Sequence, residues 1–302
     1  MLIVVTGAQG FLGRQVVHRL SAEGRRVLAV DRRPVVLAQA VPGVQYHVSD
    51  LRDPGTLIPP ECEPVGPFTL VHLAWDLRLR ETSYGVQSEQ VTALAGLLDA
   101  WRGKGLEYVI APGSAQEYGA RGGVLAEDDL PSEPLSPYGW AKRATYEMAS
   151  SWSRQHGVGL LWLRPFIIYG PGQAGSMLVP YAVRQAQEGQ HAEFTDGLQV
   201  RDFVYVDDVV EAVRRGVEQR PAGPLALNLG SGDPVRVRDL LHAIAEHFGA
   251  GGRFVFGARP RRSSEPEVQV ADCARAASAL GWRPAIGWRE GIRRLCAEAA
   301  RG

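Results

Sequence analysis

Short strand-like runs alternate with longer amphipathic stretches through the first half of the chain. Leu2 to Val5, Arg26 to Val30, Gln45 to Val48, Thr69 to Ala74, Tyr108 to Ala111 and Leu160 to Arg164 have the length and the branched or aromatic content of strands. Several lack polar alternation, which marks strands covered on both faces. Between them, Arg14 to Glu23, Gln87 to Arg102 and Trp140 to His156 carry apolar residues at helical spacing and are long enough to be crossover helices. Strand then helix, repeated, predicts an α/β chain built on a doubly wound parallel sheet.

The strict alternation stops after Gly170-Pro171-Gly172. A helical pattern over Ser176 to Glu188 and a strand-and-turn stretch around Phe194 to Gln199 begin a smaller region. Asp207 to Gln219 and Leu225 to Leu229 look like a helix and a strand returning to the sheet. The predicted division is therefore 1–171 with returning segments at about 203–230 for the sheet domain, and 172–202 with 231–302 for a substrate-binding region. Val237 to Phe248 is a further amphipathic helix, followed by glycine-rich loops with a basic cluster.

Composition narrows the function. Thirty-three basic residues balance thirty-three acidic ones in 302, so no global field draws the chain to nucleic acid or an anionic membrane. The first apolar run is too short for a signal peptide, and nothing approaches the length of a transmembrane span. Cys62, Cys273 and Cys296 are an odd number without metal-ligand spacing, and His242 and His247 are five apart, so neither a disulfide framework nor a metal site is expected. A soluble protein of the reducing cytoplasm is the resulting expectation.

Thr6-Gly7-Ala8-Gln9-Gly10-Phe11-Leu12-Gly13 follows the first strand and opens the first helix, the context in which a glycine pattern signals a dinucleotide. Gly7 suits the tight turn, Gly10 the approach of backbone to pyrophosphate and Gly13 the packing of helix on strand, as in Rossmann-type domains. Asp31, ending the second strand, can accept the adenine ribose hydroxyls and favours NAD, because it would repel a 2′-phosphate. Arg32 and Arg33 follow at once and could pair with that phosphate, which leaves NADP open. Asp50, after the third strand, could bond the adenine amine or cap a following helix.

Tyr138-Gly139-Trp140-Ala141-Lys142 places a phenol and an ammonium on one helix face. Tyrosine titrates near pH ~10, so a fixed cation beside it brings phenolate within reach and makes Tyr138 a candidate general acid/base. Ser114 lies just beyond the strand around Tyr108 to Ala111, where doubly wound sheets place site residues.

Taken in order, Thr6 to Gly13, His72-Leu73-Ala74, Ser114 with Tyr118-Gly119, Tyr138 to Lys142, Leu163-Arg164-Pro165 with Tyr169 to Gly172, and Arg201 to Asp208 resemble the extended short-chain dehydrogenases/reductases, the NAD-dependent epimerase/dehydratase family of nucleotide-sugar enzymes. The resemblance implies Ser114, Tyr138 and Lys142 as the catalytic group, with Lys142 also holding the nicotinamide ribose. It implies cofactor contacts from Gly7, Gln9, Gly10, Phe11, Leu12, Gly13, Asp31, Arg32, Asp50, Leu51, Leu73, Ala74, Tyr138, Lys142 and Pro165. Arg201 matches one arginine that clamps a substrate diphosphate; Arg262 is aligned with a second, and Glu265 with an acceptor of a ribose hydroxyl. It also implies a homodimer, paired through Gln87 to Arg102 and Trp140 to His156, whose outward faces would carry Val91, Leu94, Leu98, Tyr146, Ala149 and Trp152.

Several positions depart from the family pattern. Gln90 stands for an asparagine, Gly113 for a second serine, Trp75 for a small residue, and Ile167 for an asparagine that meets the substrate phosphate. Ala115 and Gln116 stand where the 4,6-dehydratases carry acids, so dehydration is not expected. The resemblance thus implies reversible hydride transfer at a sugar carbinol, at C4, with NAD recycled. Two alternatives stay open: an NAD(P)H-dependent 4-ketoreductase of a nucleotide-linked deoxysugar, which the stretch Ser114 to Gly119 resembles, and, more remotely, a non-catalytic NAD(P)-sensing protein.

Overall fold

The computed structural model describes residues 1–53, 58–59, 66–77 and 82–301. Cys62 lies outside them. The chain begins with β1 (Leu2–Thr6), α1 (Phe11–Ala22), β2 (Arg26–Asp31), β3 (Gln45–Val48), β4 (Phe68–His72), α2 (Tyr84–Trp101) and β5 (Leu106–Pro112). Next come β6 (Gly123–Leu125), α3 (Pro137–His156), β7 (Gly159–Pro165), β8 (Ile167–Tyr169), α4 (Leu178–Gln187), β9 (Ala192–Phe194), β10 (Val200–Arg201) and β11 (Phe203–Tyr205). The remainder holds α5 (Val206–Gln219), β12 (Leu225–Leu229), β13 (Val235–Arg236), α6 (Val237–His247), β14 (Phe254–Phe256), β15 (Val268–Ala271), α7 (Ala274–Leu280) and α8 (Trp288–Ala299).

Two compact units result. Residues 1–119, 135–164 and 210–227 form the first, and 120–134, 165–209 and 228–302 the second. The division differs from the one drawn on the sequence: 120–134 and 165–171 fall in the second unit, and of the returning segments only 210–227 joins the first.

The seven strands of the large sheet lie in the order β12-β7-β5-β4-β1-β2-β3. Pairing is parallel from β3 through β7, as the unbroken apolar runs require, and every residue of β1 is buried. Strand order reverses between β1 and β4, and the crevice beyond the carboxyl ends of strands at such a switch point is where doubly wound sheets bind ligands. One face of this sheet buries Val4, Leu28, Leu70 and Val109 against Leu94, Leu97, Leu98 and Trp101 of α2 and Ala149 and Trp152 of α3.

That packing corrects one expectation. Leu94, Leu98, Ala149 and Trp152 belong to the core of their own unit rather than to an outward face. Val91 is half-buried, and Tyr146 packs on Trp162 with ring centroids 5.7 Å apart. At the start of α2 and α3 the exposed aromatic residues are instead Tyr84 and Trp140, 5.6 Å apart. Helical spacing alone does not say which apolar stripe a sheet has claimed.

In the second unit β13, β10, β15 and β6 form a four-stranded sheet, while β11 pairs with β8 and β14 with β9. Asp202, between β10 and β11, is fully buried. Its carboxylate accepts the backbone N–H of Ser231, Gly232 and Ala271 and the Ser231 hydroxyl. Asp208 accepts the N–H of Ala285 and Ile286, and the Trp282 indole donates to its carbonyl. Burial pushes both carboxyls up in pKa against these hydrogen bonds. Asp202 and Asp208 are thus internal ties of this unit.

Among the described residues no helix is long and apolar enough to cross a membrane, no cluster has metal-ligand character, and Cys273 and Cys296 are free thiols.

Candidate active site

The glycine turn is built from close backbone approaches. Gly7 has φ +69°, and a Cβ there would strike the backbone of Leu73 and Ala74, while a Cβ on Gly13 would overlap the Gly7 carbonyl. The Gly10 N–H donates to the Gly7 carbonyl at 2.9 Å and the Leu73 N–H to the Thr6 carbonyl at 3.0 Å, which ties the ends of β1 and β4 together. Gly10 is the N-cap of α1 and offers no capping side chain, nor does any acidic residue stand in the first turn. The partial positive charge of the helix start is thereby left to an anion such as a pyrophosphate.

A cavity of about 500 Å³ opens at this point in the first unit. It is lined by Gly7, Gly10, Asp31, Arg32, Asp50 and Leu51, and by Leu73 to Leu77, which follow the end of β4. Asp31 is nearly buried; one carboxylate oxygen accepts the Gln9 N–H at 2.9 Å and the other the N–H of Arg33 at 3.0 Å. Asp50 is gripped through both oxygens by the Arg52 guanidinium at 3.0 and 2.7 Å, and this holds its pKa down near 2. Asp50 and Leu51 thus line the cavity, and the residues directly after Asp53 that a capped helix would occupy lie outside the described ones. Phe11 and Leu12 are the first two residues of α1.

Why α3 starts where it does is local. Ser136 caps it by accepting the Gly139 N–H, Pro137 fills the first turn, and Gly157 in left-handed conformation ends it. A Cβ on Gly139 would collide with the Gln116 carbonyl, so glycine lets the helix start lie against the turn after β5. That turn, Ala115–Tyr118, is capped by Ser114, whose hydroxyl accepts the Gln116 N–H at 3.1 Å. Tyr138 and Lys142 therefore stand one helical turn apart, beside the segment that carries Ser114.

Lys142 is buried, its ammonium donating to the Pro112 carbonyl at 2.8 Å. Burial lowers its pKa to about 7, against the opposing pull of Glu117. His72 is fully enclosed and held neutral: burial, then the Lys142 charge, depress its pKa to about 3, and its Nδ1 lies 3.0 Å from the Thr6 hydroxyl. Glu117 lies beneath Ser114, accepting the Ser114 N–H at 2.8 Å, the Trp162 indole N–H at 3.0 Å and the Arg164 Nε–H at 2.7 Å. Arg164 lies over Tyr118 and Tyr146; burial disfavours its charge, and Glu117 and Tyr118 more than offset that and raise its pKa.

In the second unit Arg201 ends β10, almost buried, and donates to Glu265 at 2.7 Å and to the Val200 carbonyl. Burial lowers its pKa and Glu265 works in the opposite direction. Arg262 is exposed, and its carbonyl accepts the Glu265 N–H. Glu265, expected from the resemblance to meet a ribose hydroxyl, is here the ion-pair partner of Arg201. Pro165, ending β7, also falls in this unit.

A model of the NAD dependent epimerase/dehydratase family matches residues 3–230. The chain belongs to that family. Its cofactor is NAD, and the glycine turn, the uncapped helix start and Asp31 fit that dinucleotide. Among relatives, UDP-glucose 4-epimerase of Streptomyces lividans is 26% identical over 93% of this chain and 91% of its own. CDP-abequose synthase of Salmonella typhimurium is 27% identical over 97% and 96%. Of solved structures, MoeE5 in complex with UDP-glucuronic acid and NAD is 31% identical with a TM-score of 0.88, covering 100% of this chain and 99% of that one.

Within the family framework several working residues carry no sequence signal of their own. Glu117 reads as one more charge in a turn, and only the fold shows it collecting three donors. Gln87 is likewise silent in sequence, and Trp75 stands out there only as a departure: its indole N–H donates to Gln87 Oε1 at 2.9 Å. Gln90, flagged as a departure, accepts the Asp76 N–H at 3.1 Å.

Proposed function

We propose that this protein is a nucleotide-sugar 4-epimerase that keeps NAD bound through the cycle. The observation that carries the reading is the buried Lys142 one turn from Tyr138 and beside the Ser114 turn, in the same unit as the dinucleotide cavity. NAD, when bound, accepts and returns the hydride. Tyr138 takes the proton of the C4 hydroxyl as that carbon is oxidised, and gives it back when the opposite face of the keto-sugar is reduced. Ser114 donates a hydrogen bond to the same oxygen, and the Lys142 ammonium lowers the cost of the phenolate. The net redox change is zero and the C4 configuration inverts. Arg201 and Arg262 would bind the substrate diphosphate, with Glu265 holding the Arg201 fork in place.

A second reading, an NAD(P)H-dependent 4-ketoreductase, is favoured by Arg32, Arg33 and Arg52, which line the same cavity as Asp31 and suit a 2′-phosphate. Absorbance of the purified protein separates the two. Dinucleotide that survives dialysis, with interconversion of UDP-glucose and UDP-galactose or of the corresponding uronic acids, is the result expected. Cofactor-free protein that consumes NADPH with a 4-keto-6-deoxy sugar nucleotide would replace the epimerase with the reductase. Tyr138→Phe should cost about 10²-fold or more in turnover and spare cofactor binding. A cytoplasmic homodimer is also proposed, supported by the free thiols and by the exposed Tyr84 and Trp140.

A further inference from the structure

Trp75 follows His72-Leu73-Ala74 directly, where a small residue is usual, and the space it takes is that of the acid–base pair. The Lys142 ammonium nitrogen lies 3.5 Å from the centre of the indole ring. The Tyr138 ring meets the same indole edge-on, with centroids 6.0 Å apart and planes at 86°. The indole is held in turn: its N–H donates to Gln87 Oε1 at 2.9 Å, and Gln87 Nε2 donates to the Asp76 carbonyl at 3.0 Å. Gln87 is fully buried, so α2 anchors this contact from within the fold.

An ammonium stripped of water loses the hydration that favours its charged form, and a neutral amine could not support a phenolate. Lys142 faces Trp75, Tyr138, Glu117 and His72, and more distantly Trp162, whose ring centre is 6.0 Å from the ammonium against 3.5 Å for Trp75. Glu117 favours the cation, and His72 contributes no charge because burial keeps it neutral. The negative face of an aromatic ring attracts a desolvated cation, most strongly for indole. At 3.5 Å the indole face is in direct contact with the charge.

We propose that Trp75 is a positioning residue of the Tyr138–Lys142 pair: its indole face keeps the Lys142 ammonium charged and in place, while its edge orients the Tyr138 ring. This rests on the acid–base role given to that pair above. Trp75 also lines the dinucleotide cavity, so the same side chain shapes the wall on which the cofactor lies.

The chain contains only two lysines, Lys104 and Lys142, so isotope-labelled lysine yields two side-chain signals, assigned by Lys104→Arg. In the full-length protein the Lys142 methylene next to the ammonium should show a ring-current shift that falls sharply in Trp75→Leu, the more distant Tyr138 and Trp162 rings leaving a smaller remainder. Its titration midpoint should lie about one pH unit higher with Trp75 than with Leu, with Trp75→Phe restoring much of the difference. Gln87→Leu, which frees the indole N–H while leaving the ring, should weaken the ring-current shift. Turnover of Trp75→Leu at neutral pH should fall by about ten-fold, with the pH profile displaced and the Michaelis constant for the sugar nucleotide little changed. Identical Lys142 shifts and midpoints in wild type and Trp75→Leu, or an unchanged pH profile, would overturn the inference. The lysine spectra involve no substrate; full turnover in Tyr138→Phe would instead sink the acid–base reading itself.

Discussion

Glu117 occupies the room that a side chain on Gly113 would need. A Cβ at Gly113 would overlap the Glu117 carboxylate and the Trp162 indole nitrogen, so glycine at 113 and glutamate at 117 are one arrangement rather than two independent choices. The carboxylate in turn holds the Ser114 N–H and the buried Arg164. Gly113→Ser is therefore expected to lower stability by about 1–3 kcal/mol, the scale of overpacking. Glu117→Ala should cost about 3–5 kcal/mol by leaving Arg164 buried without its partner, and Glu117→Ala combined with Arg164→Met less than the single change. Denaturant midpoints of wild type, Gly113→Ser, Glu117→Ala, Arg164→Met and the double variant check this; additive losses of the two singles in the double variant would mean the pair is not coupled.

Asp31, which lines the cavity, presents both oxygens to backbone N–H groups. Its carboxylate is expected to accept the ribose hydroxyls of NAD and to repel a 2′-phosphate. Asp31→Ala should weaken NAD by about ten-fold or more and shift preference toward NADP, since Arg32 and Arg33 remain. Titration of both cofactors measures it, and equal weakening of the two would remove Asp31 from the ribose.

Arg201 and its partner Glu265 bear on substrate class. Arg201→Ala should raise the Michaelis constant of a nucleotide sugar by the loss of a charge-assisted contact, about 1.5–3 kcal/mol, and Arg262→Ala should act in the same direction. Turnover should change little, because binding made equally in ground and transition states shows in the Michaelis constant. The matching free sugar should feel neither substitution. A wild type that uses the free sugar as well as the nucleotide sugar would refute the diphosphate assignment, and Ile167, in place of the usual asparagine, would be the first residue to reconsider.

Stability toward acid should depend on His72. Its folded-state pKa is near 3, below the ordinary 6.5, so between these values the unfolded chain binds a proton that the folded one refuses. Stability contributed by the neutral, buried imidazole is thus fully present above pH 6.5 and is lost as pH falls toward 3, by up to roughly 3–5 kcal/mol. His72→Gln should flatten that slope while lowering stability near neutrality. Denaturant midpoints measured across this window in both proteins give the comparison; parallel slopes would show that His72 does not carry the acid sensitivity.

Much of the site was legible because its signals are local in the chain. The run from Thr6 to Gly13 has strand, turn and helix start within a few residues, and Tyr138 to Lys142 lie within one helical turn, so neighbouring positions suffice to place them. Asp31 follows from the end of a strand recognisable by its own composition. The outward apolar stripe assigned to α2 and α3 was misplaced for the converse reason. Leu94, Leu98, Ala149 and Trp152 have the right spacing for either face, and only the sheet they cover decides which face is buried.

What the sequence determined by itself is the succession of strands and helices, the dinucleotide turn and the tyrosine–lysine pair, because backbone conformation and helical periodicity are set by residues a few positions apart. The tertiary structure alone decided that Glu117 gathers Ser114, Trp162 and Arg164, that Gln87 holds Trp75 against Lys142, and that Glu265 pairs with Arg201. Glu117 and Arg164, and likewise Trp75 and Lys142, come from strand ends and helices brought together by the parallel sheet, whose crossovers make neighbours of residues tens of positions apart. Burial then turns those contacts into strong ones, since a charge or a polar atom removed from water must find its partner within the fold.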